Sequence, residues 1–360
     1  MTIRSTATPT AEQALFAAEA PKLTIDDARA IAWDVFGLRA QAELLSSERD
    51  QNFHLRLDDG SAYVLKATHP AEDPAVTDFQ TRAQLHLMRA DSSLPVPHLL
   101  LTRDGRYVHW HDGPAGVRRA IRVITFLSGT PLYRTPRSAS QAQALGHALA
   151  GFDLALRGFE HPTADHTLLW DLQHAEQVAD LLAGIEDADQ RALAERTLAR
   201  FMAHVRPALP GLRRQVIHND LNPYNVLVDA AQPDRISAIL DFGDMVQAPL
   251  VQDLAVACSY LLEDSASPLD RAALCVARYH RMNPLTDPEI ALLPDLIAAR
   301  LLLTVAITGW RAKQHPENRT YILRNNAPAW IGLARLAALP QGRARDILSR
   351  ACGATLENPA

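Results

Sequence analysis

Residues 216–244 read VIHNDLNPYNVLVDAAQPDRISAILDFGD. Within them, His218-Asn219-Asp220 is followed by Asn225, five positions after Asp220, and then by Asp241-Phe242-Gly243. This is the H-x-D-x-x-x-x-N and D-F-G spacing that phosphoryl transfer from a nucleotide calls for. Such chemistry needs a carboxylate beside the attacking hydroxyl and oxygen ligands for Mg²⁺ on the phosphates. Asp220 suits the first role, and Asn225 and Asp241 suit the second.

The residues between the motifs support the placement. Asn222-Pro223 resists helix and keeps the loop open. Val226–Val228 and Ile236–Leu240 are two short apolar runs of strand character, and Asp229–Asp234, with Pro233, is the turn between them. A hairpin of this kind brings Asn225, at the start of one strand, beside Asp241, at the end of the other.

The stretch resembles the aminoglycoside phosphotransferase and choline kinase superfamily of small-molecule kinases, whose loop reads H-G-D-x-x-x-x-N and whose metal motif reads I-D-F-G-D. Asn219 stands here where that family has glycine. ERDQNF at 48–53 and DFGDMV at 241–246 look most like the hydroxylysine kinase branch, and the resemblance spans residues 25–335. It implies an α+β, two-lobed, protein-kinase-like fold. A leader (1–22) would precede a small antiparallel-sheet lobe (23–127) and a mostly helical lobe (128–360), with the nucleotide in the cleft and a hinge at Thr125–Ser128. The implied roles are Asp220 as base, Asn225 and Asp241 as Mg²⁺ ligands, and Lys66 on the α- and β-phosphates. Hinge contacts through the backbone leave no residue signature separating ATP from GTP.

Composition is compatible with this. Hydrophobic residues make up 48% and charged residues 21% of the 360, a globular balance long enough for two lobes. The net charge of −5 argues against a nucleic-acid partner. Three scattered cysteines, Cys258, Cys275 and Cys352, have no metal-ligand spacing and point to a reduced, cytoplasmic setting. No signal peptide or membrane partner is expected: the first twenty residues carry no long apolar stretch, and Leu301–Ile307 is too short to span a bilayer.

Along the chain, Thr24 and Asp27 form a capping-box pattern that predicts a helix from Ile25 to Phe36, ended by Gly37. Ala42–Leu45 and Phe53–Leu57 are strands around a glycine-free turn. There, Ser46 and Ser47 either offer hydroxyls and N–H groups to phosphate or form an ordinary polar tip. Lys66 lies inside the apolar strand Ala62–Ala67, paired to phosphates or pointing to solvent from an edge. In the helix 75–89, Gln80 occupies the position of the glutamate that protein kinases pair with this lysine. That leaves the usual ion pair in doubt.

Four residues are candidates for the acceptor. Asp244 is the nearest unassigned carboxylate to the metal motif. Trp170 is either a core anchor or an aromatic wall for a cation, and Asp171 is its acidic neighbour. Arg300, inside an apolar run, is either paired to a buried carboxylate or available to a substrate carboxylate. Three functions fit: a hydroxylysine-type kinase; a kinase for choline, ethanolamine, homoserine or an aminoglycoside; or a nucleotide-binding pseudokinase. Only Gln80 and the glycine-free loop support the last.

Overall fold

The computed structural model describes residues 22–47, 50–91, 93–113 and 116–353. The expected leader up to Pro21, and Glu48-Arg49 of the first turn, lie outside them. The chain divides into two compact units. One comprises the chain up to Arg89, Val96–Leu127 and His161–Thr163; the other comprises Ala90–Pro95, Ser128–Glu160 and Ala164 onward. Two short segments thus depart from the expected division of 23–127 and 128–360. Hydrogen bonds explain both: the Pro95 carbonyl accepts from Ile239 N–H, and His161 bonds Asp78 and packs on Phe79.

The first unit opens with helix α1, Ile25–Phe36. Thr24 and Asp27 close a reciprocal capping box at its start, and Gly37 ends it at φ 74°. Five antiparallel strands follow in the order β1-β2-β3-β5-β4: β1 Ala40–Leu45, β2 Gln51–Leu57, β3 Ala62–Ala67, β4 His109–Asp112 and β5 Arg118–Thr125. Period-two alternation turns Phe53 and Leu55 of β2 inward, where Ala28, Ile31 and Phe36 of α1 meet them with Leu65, Ile121 and Val123. Helix α2, Pro74–Ala90, buries Phe79, Ala83 and Leu87.

In the second unit, strand β6 (Thr130–Pro131) pairs with β8 (Val226–Val228), which pairs with β9 (Ile236–Ile239). The ribbon of β7 (Arg214–Ile217) and β10 (Val246–Pro249) flanks the motif; β10, carrying Gln247 and Pro249, gives no clear strand signal in sequence. Helices supply the remainder: α3 (Ala139–Ala155), α4 (Ala179–Leu182), α5 (Ala188–Arg200), α6 (Leu250–Ser259), α7 (Asp270–Met282), α8 (Asp287–Gln314), α9 (Arg319–Ile322), α10 (Asn326–Ala337) and α11 (Arg343–Gly353). A Cβ at Gly146 of α3 would collide with the Cys275 carbonyl of α7, so only glycine permits that helix approach. Helix α8 has the length and apolarity of a membrane span, but 78% of its apolar window is buried inside the protein, which makes it the core helix of this unit.

Candidate active site

Strand β7 delivers the chain to His218, and the loop turns sharply at once. Asn219 takes φ 64° and Asp241 takes φ 62°. That left-handed region favours glycine and, among other residues, Asn and Asp. The resembling family's glycine and this chain's Asn219 therefore meet the same backbone demand. Asp253 on α6 holds the turn: its carboxylate accepts the backbone N–H of His218 at 2.8 Å and of Asn219 at 2.9 Å. His218 Nδ1 accepts from Asp220 N–H at 3.2 Å, so its Nε2 carries the proton donated to the Leu240 carbonyl at 2.9 Å. The rings of Phe152 and Phe242 pack on this imidazole at 5.5 and 5.7 Å.

Behind Asp253 lies a second buried carboxyl, Asp153 of α3. Tyr279 O–H donates to its Oδ2 at 2.6 Å, and the carboxyl interacts with that of Asp253. Burial, then the charge of Asp253, pushes Asp153 far above the usual carboxylate range. Two carboxyls in contact in a dry interior require a shared proton, so Asp153 is the neutral acid that donates to Asp253.

Asp220 sits inside a ring of donors. Its Oδ2 accepts from the side-chain amides of Asn222 and Asn225, both at 2.8 Å, and its Oδ1 from Arg300 Nη2 at 2.7 Å. Burial pushes the Asp220 carboxyl up to about 6; Arg300 pulls against that rise, and the charge of Asp244 adds to it. Arg300 itself is almost wholly buried. It also donates to the Tyr260 hydroxyl and the Trp170 carbonyl, and the rings of Trp170 and Tyr260 lie 4.9 and 5.9 Å from its guanidinium carbon.

The β8–β9 hairpin brings the metal motif to the loop as the sequence implies: Leu240 N–H donates to the Asn225 carbonyl at 2.7 Å. Asn225 turns its Nδ2 to Asp220 and so presents Oδ1 as the atom left for a cation. Asp241, exposed at the hairpin end, accepts from Gly243 N–H through one oxygen. No group of three or more His, Cys, Asp or Glu residues suited to a metal occurs among the described residues. One amide oxygen and one carboxylate fit Mg²⁺, which keeps waters and phosphate oxygens for its remaining positions.

In the first unit, Lys66 lies on β3, half-buried, and its ammonium makes no hydrogen bond or ion pair among the described residues. Gln80 does not turn to it. Its Oε1 accepts from Arg122 Nη2 at 3.2 Å, and Arg122 is the cross-strand neighbour of Lys66. A buried guanidinium next to that lysine thus takes the helix partner. Ser47 is exposed just past the end of β1.

The acceptor-side expectations fare differently. Arg300 is not available to a substrate carboxylate, because it is committed to Asp220. Asp171 is fully buried: it caps a 3₁₀ turn through Gln173 N–H and binds the side chains of Gln173 and Gln252. It is a structural brace. Trp170 does face a cation, but that cation is the protein's own Arg300. Asp244 is close enough to shift Asp220 electrostatically. Asp153, Tyr260, Tyr224 and Arg324 belong to this region without having been singled out from sequence. Asp153 looks like any polar residue on an apolar helix stripe, whereas Tyr224, inside the loop motif, could have been noticed there.

A family model described as the phosphotransferase enzyme family matches residues 41–292. The chain belongs to that family. The phosphotransferase is 26% identical over 350 residues to hydroxylysine kinase of Mus musculus, covering 91% of this chain and 93% of that protein. It is 30% identical over 285 residues to homoserine kinase of Gluconacetobacter diazotrophicus, covering 76% and 82%. Among solved structures, a microcompartment-associated aminopropanol kinase superposes with a TM-score of 0.67 at 22% identity, covering 91% of this chain and 99% of that one. That likeness shows the two-lobed α+β kinase-like fold. The phosphotransferase is accordingly a small-molecule kinase with an alcohol group as acceptor.

Proposed function

We propose that this phosphotransferase moves the γ-phosphoryl group of ATP or GTP onto the hydroxyl of an amino acid, with 5-hydroxylysine the first candidate. The environment of Asp220 carries the reading. Three donors fix its carboxylate in one orientation, and burial brings it to about 6, where it is ionised at neutral pH and still basic enough to draw a proton from an alcohol. Asp220 orients the hydroxyl and accepts its proton as the new O–P bond forms, while the bond from the γ-phosphorus to the β-phosphate oxygen breaks and the nucleoside diphosphate leaves. Asn225, through its Oδ1, and Asp241 would hold Mg²⁺, which offsets charge on the phosphates. Lys66 and Ser47 contact the phosphates. Positioning and electrostatics supply most of the rate, as is general for this transition state. Similarity along nearly the full length of hydroxylysine kinases supports the choice of acceptor.

The test is a coupled nucleotide-turnover assay over hydroxylysine, homoserine, choline, ethanolamine and an aminoglycoside, with wild type and Asp220→Ala. The expected result is efficient turnover of hydroxylysine, and a loss in kcat on the order of 10²–10⁴ for the variant. Activity of Asp220→Ala within about threefold of wild type would refute the assignment of the base. Efficient turnover of choline would refute the choice of acceptor.

A further inference from the structure

Arg324, in the turn between α9 and α10, lies against the catalytic loop and has no carboxylate partner among the described residues. Two rings lie against its guanidinium: the Tyr321 ring centre is 3.8 Å from its carbon, and the Tyr224 ring centre 4.6 Å. Tyr224 belongs to the catalytic loop itself, between Asp220 and Asn225, and its other neighbour is Tyr133, stacked at 4.3 Å. Burial raises the pKa of the Tyr260 phenol; Arg300, its partner next to Asp220, pulls against that rise, and Arg324 is close enough to add a smaller pull. Among the described residues the only acceptor for Arg324 is the Tyr321 carbonyl, bonded to Nη1 at 3.0 Å. Its Nε is shielded from water and finds no acceptor.

This chemistry selects a ligand. An arginine whose faces are stacked can bind only in its own plane. In-plane pairs of N–H groups match the two oxygens of a carboxylate. We propose that Arg324 is the carboxylate subsite of the acceptor, so that the enzyme selects hydroxylated amino acids over the corresponding amino alcohols. The inference rests on the amino-acid-kinase reading above. It moves the role that the sequence suggests for Arg300 to a different arginine, because Arg300 is spent on Asp220. The loop that carries Asp220 and Asn225 also carries the ring that orients Arg324. Seating the carboxylate therefore places the hydroxyl relative to the base.

The experiment compares hydroxylysine and homoserine with their decarboxylated counterparts, 1,5-diaminopentan-2-ol and 3-aminopropan-1-ol, in wild type, Arg324→Gln and Arg324→Lys. Wild type should favour the amino acids in kcat/KM by roughly 10–100-fold, the factor expected for a charged hydrogen-bonded pair. In Arg324→Gln that preference should collapse, through KM for the amino acids. Arg324→Lys keeps the charge and a cation–π contact but not the planar fork, and should retain a fraction of the preference. It also provides the reading if the Gln variant does not fold. Equal preference in wild type and a folded variant would overturn the inference while leaving the kinase reading standing. So would a rise in KM confined to the nucleotide, which would make Arg324 a phosphate contact. Turnover of no panel member would overturn the amino-acid reading and this inference together.

Discussion

Replacing Arg300 with glutamine should move the acidic limb of the pH–rate profile upward. Arg300 Nη2 lies 2.7 Å from Asp220 Oδ1, and the two side chains are 2% and 18% exposed. With charge centres about 4 Å apart and an effective dielectric of about 20, the attraction is about 4 kcal/mol, equivalent to roughly three pH units. Relaxation and the two amide donors left on Asp220 reduce this, so the expected movement is roughly one to three units. The wild-type limb, set by a carboxyl raised to about 6, should then appear at roughly pH 7–9 in Arg300→Gln. The direction follows from the base having to be ionised: activity is lost as pH falls through its pKa, and loss of the cation raises that pKa. Stability should follow the same linkage. A carboxyl raised above its unfolded value stabilises the fold most when protonated, and that contribution is lost as pH rises through the folded pKa. The variant should therefore be weaker relative to wild type at pH 8 than at pH 5. The assay is kcat/KM against pH with hydroxylysine or whichever panel member is best, alongside Tm at both pH values. A limb that stays within about 0.3 units of wild type, in a folded variant, would show that Arg300 does not set the ionisation of Asp220.

Two further outcomes are expected. Asp153→Asn should keep both stability and turnover close to wild type, since an amide reproduces a neutral acid that donates to Asp253 and accepts from Tyr279, whereas Asp153→Ala should cost about 2–4 kcal/mol by leaving buried polar groups unmatched. Because the raised Asp153 loses its stabilising contribution as pH rises through its folded pKa, the Asn variant should also show a flatter loss of Tm toward alkaline pH; a steep loss like that of wild type would mean that the shared proton is absent. Asp241→Asn should weaken Mg²⁺-dependent nucleotide binding more than Asp220→Ala does, read by calorimetry, because a hard cation prefers a carboxylate to an amide; equal affinities would remove the division of labour between the two residues.

The reaction and much of the fold are determined by local sequence. Asp220, Asn225 and Asp241 lie in one stretch whose apolar runs and turn form a short hairpin. Their convergence is therefore encoded within that segment, as the bond between Leu240 and Asn225 shows. Helix α1 is equally local, with its capping box and left-handed Gly37 inside one run of residues. What tertiary structure alone decided is how the charges pair. Arg300 reaches Asp220 across 80 positions, Arg122 takes Gln80 across 42, and Asp153 meets Asp253 from a different helix. A buried charge leaves no periodic trace of its partner. Its neighbours are chosen by which helices pack together and how closely, as where Gly146 lets α3 approach α7. The same packing decides that one arginine on the catalytic side is neutralised by Asp220, while another, stacked on Tyr224, keeps its hydrogen-bonding edge.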